Sequence, residues 1–191
     1  MARNREFEES QVVASATDVF WTKGYEATSV QDLVDATGLS RGSLYGAFGD
    51  KEQLFRKALA HFEERSFASF QTTAASQAGG VDKIRSVFHQ AAESTLNDCR
   101  GCMVANAATE LSSREPWMAE IGEASRRGLE RFFQSCLDLA AAAREIDPDK
   151  ASPAIARFLT NSLLGLRVVA KMKPTREQLD DIVQTNLSIL R

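Results

Sequence analysis

The sequence predicts an all-α protein on three observations. Apolar residues recur at three- and four-residue spacing along nearly the whole chain, and no run of alternating β-branched residues lies between turn signals. The four prolines, Pro116, Pro148, Pro153 and Pro174, each stand near the start of an apolar-periodic segment, where a missing N–H costs nothing. Capping residues and glycines punctuate the same segments. At 191 residues, 43% of them hydrophobic, the chain can bury a core without a disulfide or metal staple.

The first helix is expected over 6–23, with Val13, Ala16, Val19 and Phe20 on one face and Gly24 as a left-handed stop. A second helix starts at Thr28, with Gln31 completing a capping box. It turns Val30, Leu33 and Val34 inward and ends near Ala36, before the turn glycine Gly38. The third opens at the N-cap Ser40 and runs to about Ala47, burying Leu44 and Phe48. Asp50, with Gln53 three residues on, caps a longer fourth helix to about Phe70. Residues 72–80, built of Thr, Ala, Ser, Gln and Gly, read as an interhelical loop. Five further helices, over 81–97, 101–111, 116–144, 149–171 and 175–190, bring the expected total to nine. The chain is expected to divide into an N-terminal domain over 1–50 and a larger C-terminal domain over 51–191.

A net charge of −3 excludes a broadly cationic nucleic-acid coat and a polybasic membrane sticker. No segment approaches the roughly 18 uninterrupted apolar residues of a membrane helix, so no membrane partner is expected. The N-terminus has no apolar secretory region, and the three cysteines are odd in number. Reduced thiols in a cytoplasm are the expectation. With two histidines, no nucleophile–base arrangement and no phosphate loop, an acid–base enzyme is unsupported, and no cofactor or metal is expected.

The second helix, the turn Thr37-Gly38-Leu39 and the third helix have helix-turn-helix spacing. Leu39 plugs the corner. The outward face of the third helix then carries Arg41, Gly42, Ser43, Tyr45 and Gly46. A major groove about 12 Å wide admits such a helix, and the two glycines let its backbone approach the duplex. Arg41 can donate two bonds to a guanine edge, Tyr45 can reach a phosphate or a thymine methyl, and Lys51 lies where a helix N-terminus already favours a phosphate. The plainer alternatives are a solvated Arg41 and a packing Tyr45. Residues 1–60 hold seven cations and nine anions, not a basic footprint. DNA binding therefore requires Asp18, Asp32 and Asp35 to face away while Arg3, Arg5, Arg41 and Lys51 gather on one side.

The stretch from Gly24-Tyr25-Glu26-Ala27-Thr28-Ser29-Val30 through Ala36-Thr37-Gly38-Leu39-Ser40-Arg41-Gly42-Ser43-Leu44-Tyr45-Gly46-Ala47-Phe48 to Asp50-Lys51-Glu52-Gln53-Leu54 resembles the N-terminal domain of the tetracycline-repressor (TetR) family. The resemblance implies an all-α homodimer whose N-terminal domains bind a palindromic operator and whose C-terminal domain dimerises and takes an inducer. It implies that Thr28 holds a phosphate, that Ser40, Arg41, Gly42, Ser43, Tyr45 and Gly46 face the major groove, and that Lys51 grips a phosphate. Gly46 departs from the larger polar residue many members carry, which shifts base contacts to Arg41, Ser43 and Tyr45.

In the C-terminal half, Cys99-Arg100-Gly101-Cys102 has C-x-x-C spacing. A redox-active helical enzyme is the rival reading, although the peroxidase-type motif wants a histidine where this chain has Ala105. Cys102 reads either as a small buried residue or as a reactive thiol at a helix start, with Cys99 as its resolving partner. Gly101-Cys102-Met103-Val104-Ala105-Asn106 resembles a segment in several TetR-type regulators, some of which sense oxidants or electrophiles through that cysteine. Phe67, Phe70, Phe88, Cys102, Met103, Trp117 and Phe133 are the candidate effector-binding residues, with Asn106 and Glu110 for polar contact; core packing is the alternative for each. Phe158, Leu159, Ser162, Leu163 and Leu166, then Leu179, Ile182, Val183 and Asn186, form two stripes expected to pair with their copies as a four-helix bundle. An internal core is their alternative. The reading is a homodimeric regulator, a repressor released from an inverted-repeat operator by a small-molecule or thiol-reactive effector; a helical interaction module without DNA binding is the third possibility.

Overall fold

The structure, a computed structural model, describes residues 2–191, with side chains from residue 9 onward. Among the described residues there are nine α-helices and no strand: α1 (Ala2–Lys23), α2 (Val30–Thr37), α3 (Arg41–Phe48), α4 (Lys51–Ala75), α5 (Gly80–Asn97), α6 (Met103–Leu111), α7 (Pro116–Ala142), α8 (Pro153–Val169) and α9 (Arg176–Ser188). The caps at Ser40 and Asp50 form as expected, their side chains accepting from the Ser43 and Gln53 backbone N–H groups.

Three boundaries differ from expectation. The capping box of α2 sits one residue later, where Ser29 accepts from the Asp32 N–H at 3.1 Å and the Asp32 carboxylate accepts from the Ser29 N–H at 2.9 Å. The loop expected over 72–80 is mostly helix, because α4 runs to Ala75 and α5 begins at Gly80. Gly80 is needed there for packing: a Cβ on it would lie 2.2 Å from the Cys136 carbonyl oxygen of α7. The helix expected over 149–171 breaks into the 3₁₀ turn Pro148–Lys150, α8 and the 3₁₀ turn Ala170–Met172. Ser152 caps α8 and Pro153 occupies its first turn.

Two apolar cores result, and they meet within α4. The first gathers Phe20 of α1, Leu33 of α2, Leu44 and Phe48 of α3, Leu54, Phe55 and Leu59 of α4, and Met103, Leu111 and Met118 of α6 and α7. The second gathers Phe70 and Ala74 at the far end of α4 with Ile84, Phe88, Phe133, Leu159 and Val183 of α5, α7, α8 and α9. The N-terminal helices therefore share their core with α6 and the start of α7.

This packing corrects much of the expected dimer stripe. Leu159, Leu163, Leu166, Leu179 and Val183 are all 1% exposed or less and pack inside their own protomer. Helical rotation explains the displacement: the outward face of α8 is Phe158, Asn161, Gly165 and Val168, one position from the buried leucines. From the expected set, Phe158 stays exposed, and Ser162, Ile182 and Asn186 are half-buried.

Phe55 is the most contacted ring of the first core, with centroids 4.8 Å from Phe20, 4.9 Å from Tyr25 and 6.3 Å from Trp117. Phe55→Ala is expected to destabilise the protein by about 3–5 kcal/mol, measured by urea unfolding. A loss under about 1 kcal/mol would show that α6 and the N-terminal helices do not share this core.

Candidate nucleic-acid interface and effector cavities

The recognition unit is fixed from its buried side. Gly38 ends α2 with φ +70°, its N–H donating to the Val34 carbonyl at 2.9 Å, a left-handed turn that suits glycine. Leu39 packs half-buried at the corner. The Leu44 and Phe48 side chains pin α3 to the first core, and Ser40 accepts the Ser43 N–H at 3.1 Å. The opposite face presents Arg41, Gly42, Ser43, Gly46 and Ala47 to solvent, with Tyr45 half-buried beside them. The Arg41 guanidinium stands 5.7 Å from the Tyr45 ring centroid. A Cβ on Gly46 would meet nothing within 4 Å, and one on Gly42 would meet only Ser40 Oγ at 4.0 Å. The backbone between these side chains is thus unobstructed.

Lys51 opens α4, with its ammonium 4.5 Å from the Tyr25 ring centroid. Thr28 does not fit the phosphate role expected of it: it is 1% exposed, and its hydroxyl donates to the Gly24 carbonyl at 2.5 Å. Arg3 and Arg5 lie outside the described side chains. The three acids expected to face away are engaged: Asp18 with Arg100, Asp32 with Lys23 at 2.6 Å, and Asp35 with the Gln31 amide. The Lys23 ammonium, joined by the Ser29 hydrogen bonds, holds the Asp32 carboxyl at about 2.

Two side chains from the C-terminal half grip the N-terminal helices. The Glu110 carboxylate of α6 accepts the Tyr25 and Glu26 N–H groups at 3.1 and 2.8 Å. Gly24, φ +84°, makes room for it, since a Cβ there would lie 2.9 Å from Glu110 Oε2. Arg100, in the α5–α6 loop, chelates Asp98, reaches Asp18 of α1 at 3.2 Å, and stacks 3.7 Å above the Trp21 ring centroid. This pairing holds the Asp98 carboxyl below the usual carboxylate range. Glu110 is thereby spent as a clamp, and the Asn106 amide donates to the Arg100 carbonyl at 2.9 Å. Both line a small cleft beside Gly24 and neither lines the two larger cavities. Partners 82 to 85 residues apart leave no local signal in the sequence.

Two cavities flank α4 and share Phe62, Ser66, Phe70 and Arg167 as a wall. One, of about 600 Å³, lies between α1, α4, α5 and the α5–α6 loop. The other, of about 550 Å³, lies between α4, α6, α7 and α8 and is lined by Phe67, Cys102, Gly128, Leu129 and Phe132. Glu63 also edges this second cavity; burial pushes its carboxyl up, against the lowering effect of a hydrogen bond with Ser125. Of the candidate effector residues, Phe67, Phe70 and Cys102 line it, while Met103 and Asn106 edge a smaller cleft of about 300 Å³. Phe88 and Phe133 pack on each other inside the second core, centroids 5.9 Å apart, and are core rather than lining. Trp117 is likewise committed, covered by the Arg56 guanidinium at 4.3 Å, its indole N–H donating to Glu115 at 3.1 Å. Sequence reasoning missed Arg167, Leu129, Gly128 and Ser125, whose convergence depends on how the helices cross.

All three cysteines are free, Cys99 exposed, Cys102 and Cys136 buried. Burial pushes the Cys136 thiol up. Among the described residues no group of three His, Cys, Asp or Glu side chains is placed to hold a metal ion, and no helix is long and apolar enough to cross a membrane.

Comparison with known proteins converges on one family. Residues 12–58 match "Bacterial regulatory proteins, tetR family", and residues 80–185 match "Tetracyclin repressor-like, C-terminal domain". The chain is 32% identical over 193 residues to the uncharacterized HTH-type transcriptional regulator YezE of Bacillus subtilis (strain 168), covering 100% of both chains. It is 30% identical over 190 residues to the HTH-type transcriptional repressor ComR of Escherichia coli (strain K12), covering 98% of this chain and 90% of ComR. Among solved structures, a cysteine mutant of the TetR family regulator CifR, complexed with 26-base-pair double-strand operator DNA, superposes with a TM-score of 0.85 at 29% identity, over 94% of this chain and 95% of that one. The helix-turn-helix, the nine-helix fold and these matches together make the chain a helix-turn-helix transcriptional regulator belonging to the tetR family of bacterial regulatory proteins.

Proposed function

We propose that this regulator binds an inverted-repeat DNA operator as a homodimer and represses transcription until an effector occupies the C-terminal half. The observation that carries the reading is α3, anchored by Leu44 and Phe48 on one side and bare on the other. Arg41, Ser43 and Tyr45 are assigned to base edges, Ser40 and Lys51 to phosphates, and Gly42 and Gly46 to close approach. A two-fold operator needs two such helices about 34–36 Å apart, so dimerisation belongs to the mechanism. The exposed faces of α8 and α9, with Phe158, Ser162, Gly165 and Val168 beside Ile182 and Asn186, are the proposed dimer surface. Repression is in keeping with ComR, a repressor, and operator binding with the CifR complex.

The apolar cavity between α4, α6, α7 and α8 is the proposed effector seat. An effector releases DNA only through its preference for one of two conformations. A thiol-reactive effector is favoured by one further observation: Cys102 lines that cavity at the N-cap of α6, three residues from exposed Cys99.

The operator is to be recovered from genomic fragments bound at low salt. Arg41→Ala is expected to cost about 1–3 kcal/mol and relax discrimination at one base position, whereas Lys51→Ala weakens all sequences alike and lowers the salt slope by about one. Equal effects of both substitutions on every DNA tested would remove Arg41 from base readout. Phe158→Glu is expected to give a monomer by analytical ultracentrifugation that no longer shifts the operator; a dimeric Phe158→Glu variant would move the interface elsewhere. Methylglyoxal or peroxide is expected to release DNA from the parent protein and not from Cys102→Ser, and a normal response in that variant refutes thiol sensing.

A further inference from the structure

The cavity between α1, α4, α5 and the α5–α6 loop differs in kind from its apolar neighbour. Three side-chain atoms on its lining are buried without a hydrogen-bond partner: Trp21 Nε1, His61 Nε2 and Gln90 Oε1. Buried polar atoms are nearly always paired, because an unpaired one forfeits a full hydrogen bond to water. Three on one cavity wall mark a place built to be filled. Gln90 donates one amide N–H to Ser69 Oγ, while its carbonyl oxygen has no donor.

The wall shared with the second cavity supplies a charge. Arg167 of α8 is half-buried over the Phe62 and Phe70 rings, at 5.5 and 5.8 Å, and has no hydrogen-bond or ion-pair partner among the described residues. The acids that line the same cavity are already neutralised, Asp18 and Asp98 by Arg100 and Glu93 by Arg176. The Trp21 N–H and the Arg167 guanidinium are donors to this space, the exposed Arg65 adds a second cation to its lining, the Gln90 carbonyl is an acceptor, and His61 can serve as either. The surrounding indole and phenyl rings favour an apolar body.

The geometry points to a second ligand site here, distinct from the proposed effector seat, that takes a small aromatic carboxylate with Arg167 as its counter-ion and the Trp21 N–H as a further donor. The site lies where it can be felt by the recognition unit. Trp21 and Asp18 belong to α1, and both are held by Arg100.

Calorimetric titration of the full-length protein with benzoate, phenylacetate and 3-phenylpropionate, and with the matching amides and amines, tests it. At least one acid is expected to bind, with its amide and amine about ten-fold weaker or silent. Arg167→Gln is expected to weaken the acid about ten-fold and leave the amide unchanged. Trp21→Phe, which keeps a phenyl ring and deletes the N–H donor with the rest of the indole, is expected to weaken the acid at least about three-fold. Gly128→Phe, which fills the open space at Gly128 in the neighbouring cavity, is expected to leave acid affinity unchanged. Silence of all three acids, equal binding of acid and amine, retention of acid affinity in Arg167→Gln, or its loss in Gly128→Phe would each overturn the proposal. Operator binding by the ligand-free protein is measured alongside; its absence bears on the regulator reading alone, and acid binding is then judged on its own result.

Discussion

Phe55 sits on α4 with one ring edge against Phe20 and Tyr25 of the N-terminal helices and another toward Trp117 of α7. Around it, Cys102, Met103 and Leu111 close the same apolar space from α6. This one packing joins the DNA-facing helices to the C-terminal half, because separating them would expose the apolar surface that stabilises both. The arrangement of α3 also depends on it. A recognition helix of eight residues has too few internal hydrogen bonds to hold itself, and Leu44 and Phe48 borrow rigidity from that shared core.

Polar contacts add direction to a core that by itself would tolerate sliding. Glu110 fixes the α1–α2 turn by two backbone N–H groups, and Arg100 fixes α1 through Asp18 and the Trp21 ring. Both originate on or just before α6, which also borders the apolar cavity through Cys102 and Val104. A shift of α6 therefore pulls on the N-terminal helices at two points. The second path is α4, 25 residues and about 37 Å long, which starts at Lys51 and ends in the second core. Coupling between two distant sites needs a two-state element that both bias, and α4 with α6 is the pair that borders both the apolar cavity and the N-terminal helices.

The charge distribution follows the same division of labour. A chain of net charge −3 can present cations to DNA only if its acids are occupied elsewhere. Asp18, Asp32 and Asp35 are so occupied, by Arg100, Lys23 and the Gln31 amide, none of which belongs to α3. Among the described residues, Arg41 is left with the Tyr45 ring and Lys51 with the Tyr25 ring as neighbours in place of a carboxylate.

Local chemistry made the helices legible: Ser40 and Asp50 as caps, Gly24 and Gly38 as left-handed stops, and Pro116 and Pro153 as first-turn residues all act within a few positions of themselves. The exposed face of α3 was legible for the same reason, since Leu44 and Phe48 stand one turn apart on one face and Gly42 and Gly46 one turn apart on the other. The Thr28 hydroxyl misled, because a cap one residue away at Ser29 uses the same chemistry. Rotation of α8 by one position, which decides whether Leu159 or Phe158 is buried, is set by packing against α5, α7 and α9, and both choices look equally apolar in the chain. The cavities, the Glu110 and Arg100 clamps and the unpaired Arg167 arise only where distant helices cross. Sequence thus determined what each segment is, through interactions between near neighbours; tertiary structure alone decided which faces are spent inside the protomer and which stay exposed, because that depends on how distant helices cross.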